Sequence, residues 1–313
     1  MEKAGEKIIK KLFFVILFVI SLLVFIFIII FIIGYIKQEE RIVNIERVVS
    51  GYVRDCSFKV GENVSIPSAK ISYAGVSVFT LDNGYFSIKV RGDPKLVITA
   101  NGYHNYKEKP SRMVDSAFYL IPDDVYKDLS TVVWEKENGK YENWMRKWTR
   151  QPEIIVAKEN GTDEQVNTVV TALKSDVFNK MTGGLYSSEN ITVLDKLPQE
   201  LFDEMKTRDG KIIIYFAEKM MHDFVVDMGG SAHAIDNEDG DIFFAESVWN
   251  PLDNFDKFNV YHELAHTVTS GGHINYKPSI ITEVEPRPPN GEPTEADYKY
   301  LNCVYNSPLK RDN

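Results

Sequence analysis

The stretch Tyr261–His273 reads YHELAHTVTSGGH and holds three of the six histidines of the chain. The apolar residues in and just before it recur every four positions: Val260, Leu264 and Val268. That spacing predicts a helix with one apolar face, which begins after the capping residues Asp253 and Asn254. His262 and His266 lie about 200° around the helix from that stripe, so we expect both imidazoles on the opposite face.

Two imidazoles one helical turn apart have the separation that two ligands of one Zn²⁺ require. Glu263 lies next to His262 but about 100° around the helix, so its carboxylate can reach a zinc-bound water without binding the metal. The alternative is an ordinary helix, in which a chance His-Glu-x-x-His match is expected in roughly one such chain in a hundred. The pattern therefore predicts zinc binding by His262 and His266, with Glu263 as the general base.

A zinc site that keeps a position open for water needs a third protein ligand. His273 follows Gly271 and Gly272, which can end the helix and turn the chain back towards the metal. Glu285 lies where another family of zinc peptidases places a glutamate on a second helix. Prolines at 286, 288 and 289 exclude a helix at that point. We therefore expect His273, and not a carboxylate, to be the third ligand.

From residue 152 onwards the sequence predicts alternating strands and helices. A strand at 153–157 precedes a helix opened by the capping box of Thr162 and Gln165, and two further strands follow at 191–194 and 211–216. A hairpin of 231–235 with 242–248 leads into the HELAH helix. The stretch PTEADYKYLNCVY, which begins at Pro293, closes the pattern.

This order of elements, with the HELAH motif and the closing stretch, resembles the metzincin metallopeptidases. The resemblance implies an α/β peptidase domain over residues 152–313 with a mixed twisted sheet. It assigns zinc binding to His262, His266 and His273, and makes Glu263 the general base and acid. A peptide substrate is expected to lie extended along residues 231–235, as an added strand at the edge of the sheet.

The chain departs from the metzincin pattern at two points. The family places a glycine three and a histidine six residues after the second histidine, where this chain has Thr269 and Gly272. His273 follows one position later, which a glycine-rich turn can accommodate. The family also places a methionine beneath the metal, but all eight methionines here lie at or before Met228. An isoleucine of the segment 276–281 is expected to supply that apolar floor.

Residues 12–36 form an uncharged apolar run, LFFVILFVISLLVFIFIIIFIIGYI. As a helix it would rise about 37 Å, enough to cross a hydrocarbon core of about 30 Å. A cleaved signal peptide is the alternative, but its apolar region would be shorter. Four lysines precede the run, which predicts a cytoplasmic segment 1–11, a linker 37–47 and extracytoplasmic domains beyond it. The expected location is the cell membrane, with a single pass.

Short alternating strands between residues 48 and 122 predict a small all-β sandwich. The layout GYVRD…AKISYAGVSVFTLDNGYFSIKV…LVITANGY resembles the carboxypeptidase regulatory-like, transthyretin-like domain. That resemblance implies a structural or docking module without catalysis. Residues 123–151, which carry three of the four tryptophans, are expected to be a connector that packs against one or both domains.

After residue 41 the chain has 30 Lys and Arg residues against 41 Asp and Glu residues. A net charge of −11 over that part argues against nucleic-acid binding. The two cysteines, Cys56 and Cys303, fall in different predicted domains. Outside the cell they could form a disulfide, but two free thiols are an equally acceptable reading at this point.

Together these patterns predict an α+β protein: a membrane-anchored zinc metalloendopeptidase that cleaves peptides or proteins outside the cell. Two alternatives remain open. One is a cell-surface binding or adhesion protein on a peptidase scaffold that has lost activity. The other is a cell-envelope amidase, which shares the metal chemistry and differs in its substrate.

Overall fold

The computed structural model describes residues 21–31, 46–92, 95–108, 114–126, 134–137, 140–143, 146–203, 205–218, 230–237, 241–252, 255–269, 278–282 and 286–306. Over these ranges the fold is α+β. Residues 46–126 contain seven strands in two sheets, which we term the N-terminal unit. Residues 146–306 surround one five-stranded sheet and are termed the C-terminal unit.

The prediction of a membrane-spanning helix over residues 12–36 is wrong. Within the described ranges, no helix combines the length and the apolar character needed to cross a membrane. The predicted single-pass location in the cell membrane is wrong for the same reason. Residues 1–20 and 32–45, with the predicted cytoplasmic segment and most of the linker, lie outside the described ranges.

The N-terminal unit encloses one apolar core between a three-stranded sheet, ordered β4-β1-β7, and a four-stranded sheet, ordered β3-β2-β5-β6. Its central strand β1 pairs antiparallel with β4 and parallel with β7. The strands are β1 (Glu46–Asp55), β2 (Lys70–Tyr73), β3 (Val76–Phe79), β4 (Tyr85–Arg91), β5 (Leu96–Thr99), β6 (Tyr106–Glu108) and β7 (Val114–Leu120).

Period-two alternation builds this core. In β4 the side chains of Phe86, Ile88 and Val90 are buried, and those of Ser87, Lys89 and Arg91 between and after them are exposed. Each fully buried apolar side chain of this size contributes about 1.5–3 kcal/mol. Ala74 and Gly75, with φ angles of 45° and 84°, form the two-residue turn between β2 and β3. Alternation and turn together fix which face of each strand enters the core.

The sheet of the C-terminal unit has the order β11-β10-β12-β14-β13. All neighbours pair in parallel except β13 and β14, which form the hairpin that the sequence predicts. A separate two-stranded ribbon, β8-β9, lies in the predicted connector. The strands are β8 (Trp134–Glu137), β9 (Lys140–Asn143), β10 (Glu153–Ala157), β11 (Ile191–Leu194), β12 (Lys211–Phe216), β13 (Ser231–Asp236) and β14 (Ile242–Trp249).

Two apolar clusters cover the two faces of this sheet. One face packs against the helices, through residues that include Val260 and Leu264, and the other packs around Leu197 and Leu201. The helices are α1 (Asp163–Lys174), α2 (Asp176–Met181), α3 (Glu200–Asp203), α4 (Lys257–Val268) and α5 (Glu295–Asn306). The sheet is therefore an internal layer, which fits its nearly continuous apolar strands.

The sequence signal for the start of α1 is confirmed, and that for the start of α4 is corrected. Thr162 accepts a hydrogen bond from the backbone N–H of Gln165, whose side chain accepts one in return. The N-cap of α4 is Asp256, which accepts from the N–H of Asn259 at 2.8 Å. Helix α4 therefore begins later than Asp253 and Asn254, both of which lie outside the described ranges.

The two units are joined covalently and by hydrogen bonds. Cys56, which directly follows β1, forms a disulfide with Cys303 of α5. The sequence left a disulfide and two free thiols open, and the structure shows the disulfide. The side-chain amides of Asn302 and Asn306 donate to backbone carbonyls of Ser57 and Cys56 at 3.1 and 2.9 Å. Helix α5 therefore contributes a disulfide and two hydrogen bonds to the contact between the units, and Ile121 and Val125 add apolar packing against the C-terminal unit.

Candidate metal centre

Helix α4 has the amphipathic character that the sequence predicts. Val260, Leu264 and Val268 are fully buried. His262 and His266 lie on the other side of the helix and are partly buried. The helix packs across β13 and β14, the hairpin at one edge of the sheet. The buried stripe thus fixes the rotation of α4 and holds both imidazoles at its opposite surface.

The imidazoles of His262 and His266 converge at a single point. Their Nε2 atoms are 3.3 Å apart, and the ring planes stand at 84° to each other. Two nitrogens that each lie about 2.0–2.1 Å from a tetrahedral Zn²⁺ are about 3.3–3.4 Å apart. The two Nε2 atoms therefore have the spacing of a ligand pair on one zinc ion.

A backbone carbonyl selects the tautomer of His262. Its Nδ1 atom lies 2.7 Å from the carbonyl oxygen of Ile280. Because a carbonyl can only accept, Nδ1 carries the proton and the Nε2 lone pair of the neutral ring is available to a metal. Metal-binding histidines commonly donate their second N–H in this way, which fixes the orientation of the ring.

The turn that provides this carbonyl is itself apolar and buried. Ile280 and Ile281 are fully buried and belong to the same apolar cluster as α4. They lie in the segment 276–281, where the sequence analysis expects an isoleucine in place of the family's methionine. Residues 276 and 277 of that segment lie outside the described ranges.

A buried carboxylate on α5 holds the turn in place. Asp297 is fully buried and accepts from the backbone N–H of Ile280 at 3.1 Å and of Thr294 at 2.7 Å. It also accepts from the hydroxyls of Ser279 and Thr294. A chain of contacts therefore runs from Asp297 through the Ile280 peptide to the ring of His262.

No role for Asp297 was predicted from the sequence, although its spacing from Thr294 is a recognisable pattern. Thr294 and Asp297 have the Thr-x-x-acid spacing of a helix start, and the N–H of Asp297 donates back to the Thr294 hydroxyl at 3.3 Å. The spacing predicts a capped helix. It does not predict that the same carboxylate reaches Ile280, because that contact depends on how distant segments pack.

An aromatic and cationic stack lies beside His262. The ring of Phe258 stacks on the His262 ring with centroids 5.6 Å apart. The guanidinium carbon of Arg287 lies 4.5 Å from the Phe258 centroid, and its Nη1 is 3.2 Å from Asp256 Oδ2. This stack packs one face of the imidazole, so the ring is held by packing as well as by its bond to Ile280.

Two other hydrogen bonds close the C-terminal end of α4. The indole N–H of Trp148, in the predicted connector, donates to the carbonyl of Thr267 at 2.8 Å. The hydroxyl of Tyr305 donates to the carbonyl of Val268 at 2.9 Å. Burial raises the pKa of Tyr305, so its hydroxyl keeps its proton at neutral pH and remains a donor.

Glu263 is buried beside the two histidines, with 8% of its surface exposed. Its side chain packs towards the residue before β13, Gly230, and towards Trp249 at the end of β14. His233, by contrast, pairs with Glu246 across the hairpin, on the face of the sheet that packs away from α4. The structure therefore brings His262 and His266 together, buries Glu263 on the neighbouring face of the same helix, and leaves His233 outside the site.

The third expected ligand, His273, and the rejected candidate Glu285 lie outside the described ranges. Within those ranges, which omit 270–277 and 283–285, no group of three or more His, Cys, Asp or Glu residues is placed to hold a metal ion. The described part of the site is therefore a pair of histidines with fixed geometry, and metal binding by them and by His273 stays a prediction.

No protein-family model and no curated protein matches the chain. Among solved structures, one similar chain carries the description "Crystal Structure of metalloproteinase-II from Bacteroides fragilis". It is 8% identical, and the match covers 87% of this chain and 94% of that chain with a TM-score of 0.28. At that TM-score the likeness to a metalloproteinase does not establish a shared fold.

Proposed function

We propose that this protein is a zinc metallopeptidase that hydrolyses peptide bonds. In this proposal His262, His266 and His273 bind one Zn²⁺, and Glu263 is the general base and acid. The observation that carries the proposal is the pair of Nε2 atoms 3.3 Å apart, with the tautomer of His262 set by Ile280. The two Nε2 atoms also lie within hydrogen-bond distance of each other, so zinc binding by the purified protein is what separates this proposal from an ordinary helix.

When bound, a zinc ion polarises the scissile carbonyl and lowers the pKa of its bound water to near neutrality. Glu263 then accepts the proton of the attacking water and returns it to the leaving amine, provided both lie within hydrogen-bond reach. The carbonyl of Ile280 keeps the proton of His262 on Nδ1 throughout. The buried face of α4 keeps the three side chains in one relative orientation.

The substrate in this proposal is a peptide or protein in extended conformation. Strand β13 is the edge strand of its sheet and runs beside α4. An extended peptide can pair with such an edge through backbone hydrogen bonds, which bind without demanding a particular sequence. The residues of β13 that would face it are Ser231, Ala232, His233, Ala234 and Ile235.

The test is zinc content and peptide cleavage by the full chain and its variants. We expect one zinc per chain in the wild type and cleavage of casein or of a fluorogenic peptide library. Glu263→Gln should retain zinc and lose at least about a hundredfold in kcat, since general base catalysis contributes 10²–10⁴-fold. His262→Ala and His266→Ala should lose zinc.

Two further variants test the ligand set. His273→Ala should lose zinc and Glu285→Ala should retain it. His233→Ala is the matched control for zinc content alone, because that histidine lies on the other face of the sheet from α4. Bound zinc with no cleavage of any substrate would favour a binding protein without activity. Cleavage confined to cell-envelope amides would favour the amidase.

A further inference from the structure

Gly230 lies immediately before β13, at the point where the edge strand passes α4. It is buried, and its φ of +154° lies in the range that L side chains rarely adopt. The residue therefore occupies a position where both the backbone conformation and the surrounding space favour glycine.

The neighbours of Gly230 leave no room for a side chain. A Cβ at this position would lie 3.1 Å from Cγ of Glu263. It would also lie 2.7 Å from Cδ1 and 3.0 Å from Nε1 of Trp249. Carbon atoms in van der Waals contact are about 3.5–4.0 Å apart. The stem of Glu263 thus packs directly against the glycine backbone, with the indole of Trp249 beside it.

Trp249 cannot move away to relieve such a contact. Its side chain is fully buried and packs edge-to-face on Phe255, with centroids 5.5 Å apart, and against Phe216 at 6.2 Å. Its indole N–H finds no acceptor among the residues that the structure describes. The surface that Trp249 presents here therefore carries a buried N–H donor as well as apolar atoms.

We infer that Gly230 is a positioning residue for Glu263, and this inference rests on the proposed function. The glycine and Trp249 form the wall against which the Glu263 stem is held, and this wall fixes the direction in which the carboxylate leaves helix α4. A side chain at 230 pushes Glu263 away from this wall, because Trp249 is fixed from behind. Neither metal ligand is touched by that change.

The first test is Gly230→Ala in the full chain. A displacement of about 1 Å in a reacting group can cost on the order of a hundredfold in rate, and the 3.1 Å contact requires the Glu263 stem to yield by only part of that distance. We expect kcat to fall about three- to tenfold, KM to change less than about twofold, and one zinc per chain to remain. Gly210→Ala is the matched control: its φ is also positive, at +76°, but its nearest neighbour to a new Cβ is 3.7 Å away. Unchanged kcat in folded Gly230→Ala would overturn the inference.

The second test measures binding without catalysis. Acetohydroxamate chelates zinc and hydrogen-bonds to a neighbouring carboxylate, so calorimetry reports the position of Glu263 directly. We expect Gly230→Ala to weaken its binding about tenfold in the wild-type background and by less than about twofold in Glu263→Ala. Equal losses in both backgrounds would mean that Gly230 does not act through Glu263, and the inference would be wrong.

A third variant covers the case in which Gly230→Ala does not fold. Trp249→Phe keeps the packing with Phe255 but removes the indole edge that meets Gly230. A lower kcat with zinc retained supports the inference, and wild-type kcat contradicts it. Failure of the proposed function is a separate outcome: the wild type itself would then bind no zinc and cleave nothing.

Discussion

Strands β4 and β12 show how the two units of the molecule differ. In β4 every second residue is exposed, whereas five of the six residues of β12 are buried. The sheets of the N-terminal unit have one face towards a core, and the sheet of the C-terminal unit is covered on both faces. Polar groups that are buried in the C-terminal unit must therefore find hydrogen-bond partners within the protein. Hydrogen bonds of this kind hold the residues of the candidate metal centre in place.

Two buried aspartates make the comparison more specific. In the N-terminal unit Asp55 is 6% exposed and accepts from Tyr103 and from the N–H and hydroxyl of Ser57. In the C-terminal unit Asp297 holds the turn whose carbonyl orients His262. Both carboxylates satisfy buried donors. Only the second is connected to a residue with a proposed role in chemistry, so the same interaction serves structure in one unit and function in the other.

The largest expected effect comes from breaking the link between the units. Cys56→Ser removes a disulfide between residues 247 positions apart. A loop of that length predicts a loss of about 5 kcal/mol in the free energy of unfolding. Urea denaturation of the oxidised wild type and the variant measures it. Cys303→Ser and the double variant should give the same loss, and a wild-type midpoint in any of them would contradict the prediction.

The second-largest expected effect distinguishes the roles of the two buried aspartates, Asp297 and Asp55. The two carboxylate oxygens of Asp297 serve four donors, and Asp297→Asn replaces one of these acceptors with an NH2 donor, which should cost about 3 kcal/mol in the free energy of unfolding. It should also weaken zinc binding about tenfold, because the outer partner of a ligand is disturbed. Competition with a chelator measures that affinity.

Asp55→Asn is the matched control for this experiment. We expect it to cost about 1–2 kcal/mol, since it serves fewer buried donors, and to leave the zinc affinity unchanged. If both variants weaken zinc binding equally, the contact from Asp297 through Ile280 to His262 has no special role.

The smallest expected effect is a pH dependence at Lys147, which lies where the connector meets α5. Burial lowers the pKa of Lys147 to about 8, from an ordinary value of 10.5, while its ammonium donates to the carbonyl of Tyr305. Between these two pH values the unfolded chain binds a proton that the folded chain does not, so stability rises with pH across that window. We expect a gain of about 1 kcal/mol between pH 8 and pH 9.5.

Lys147→Met should remove this rise in stability, as measured by urea denaturation at several pH values. The comparison variant is Lys89→Met in β4, whose lysine is exposed in the N-terminal unit and should leave the pH dependence as it is. A rise that persists in Lys147→Met would assign it to another group.

The features that sequence predicted are those set by local pattern. The capping box at Thr162, the hairpin of β13 and β14 and the two faces of α4 each depend on residues within one or two turns or strands. The features that it missed depend on packing between distant segments. The bond from His262 to Ile280 spans 18 residues, and the disulfide spans 247. Neither contact leaves a periodic pattern in the sequence.

Two local predictions were wrong for identifiable reasons. The apolar run at 12–36 was interpreted as a spanning helix from its length, its lack of charge and its flanks, whereas no helix among the described residues is long and apolar enough to cross a membrane. Helix α4 starts at the cap provided by Asp256 and not at the earlier pair Asp253 and Asn254, although all three residue types are good caps. Residue type identifies the candidate N-caps of a helix. The packing of the residues that follow decides which of these candidates is used.

The disulfide also orders events during synthesis of the protein. Cys56 leaves the ribosome long before Cys303, because 247 positions separate the two. At about 5–20 residues per second, the first thiol waits on the order of 10–50 seconds for its partner. During that interval the strands around Cys56 can fold first, and the thiol must be kept from pairing with another nascent chain.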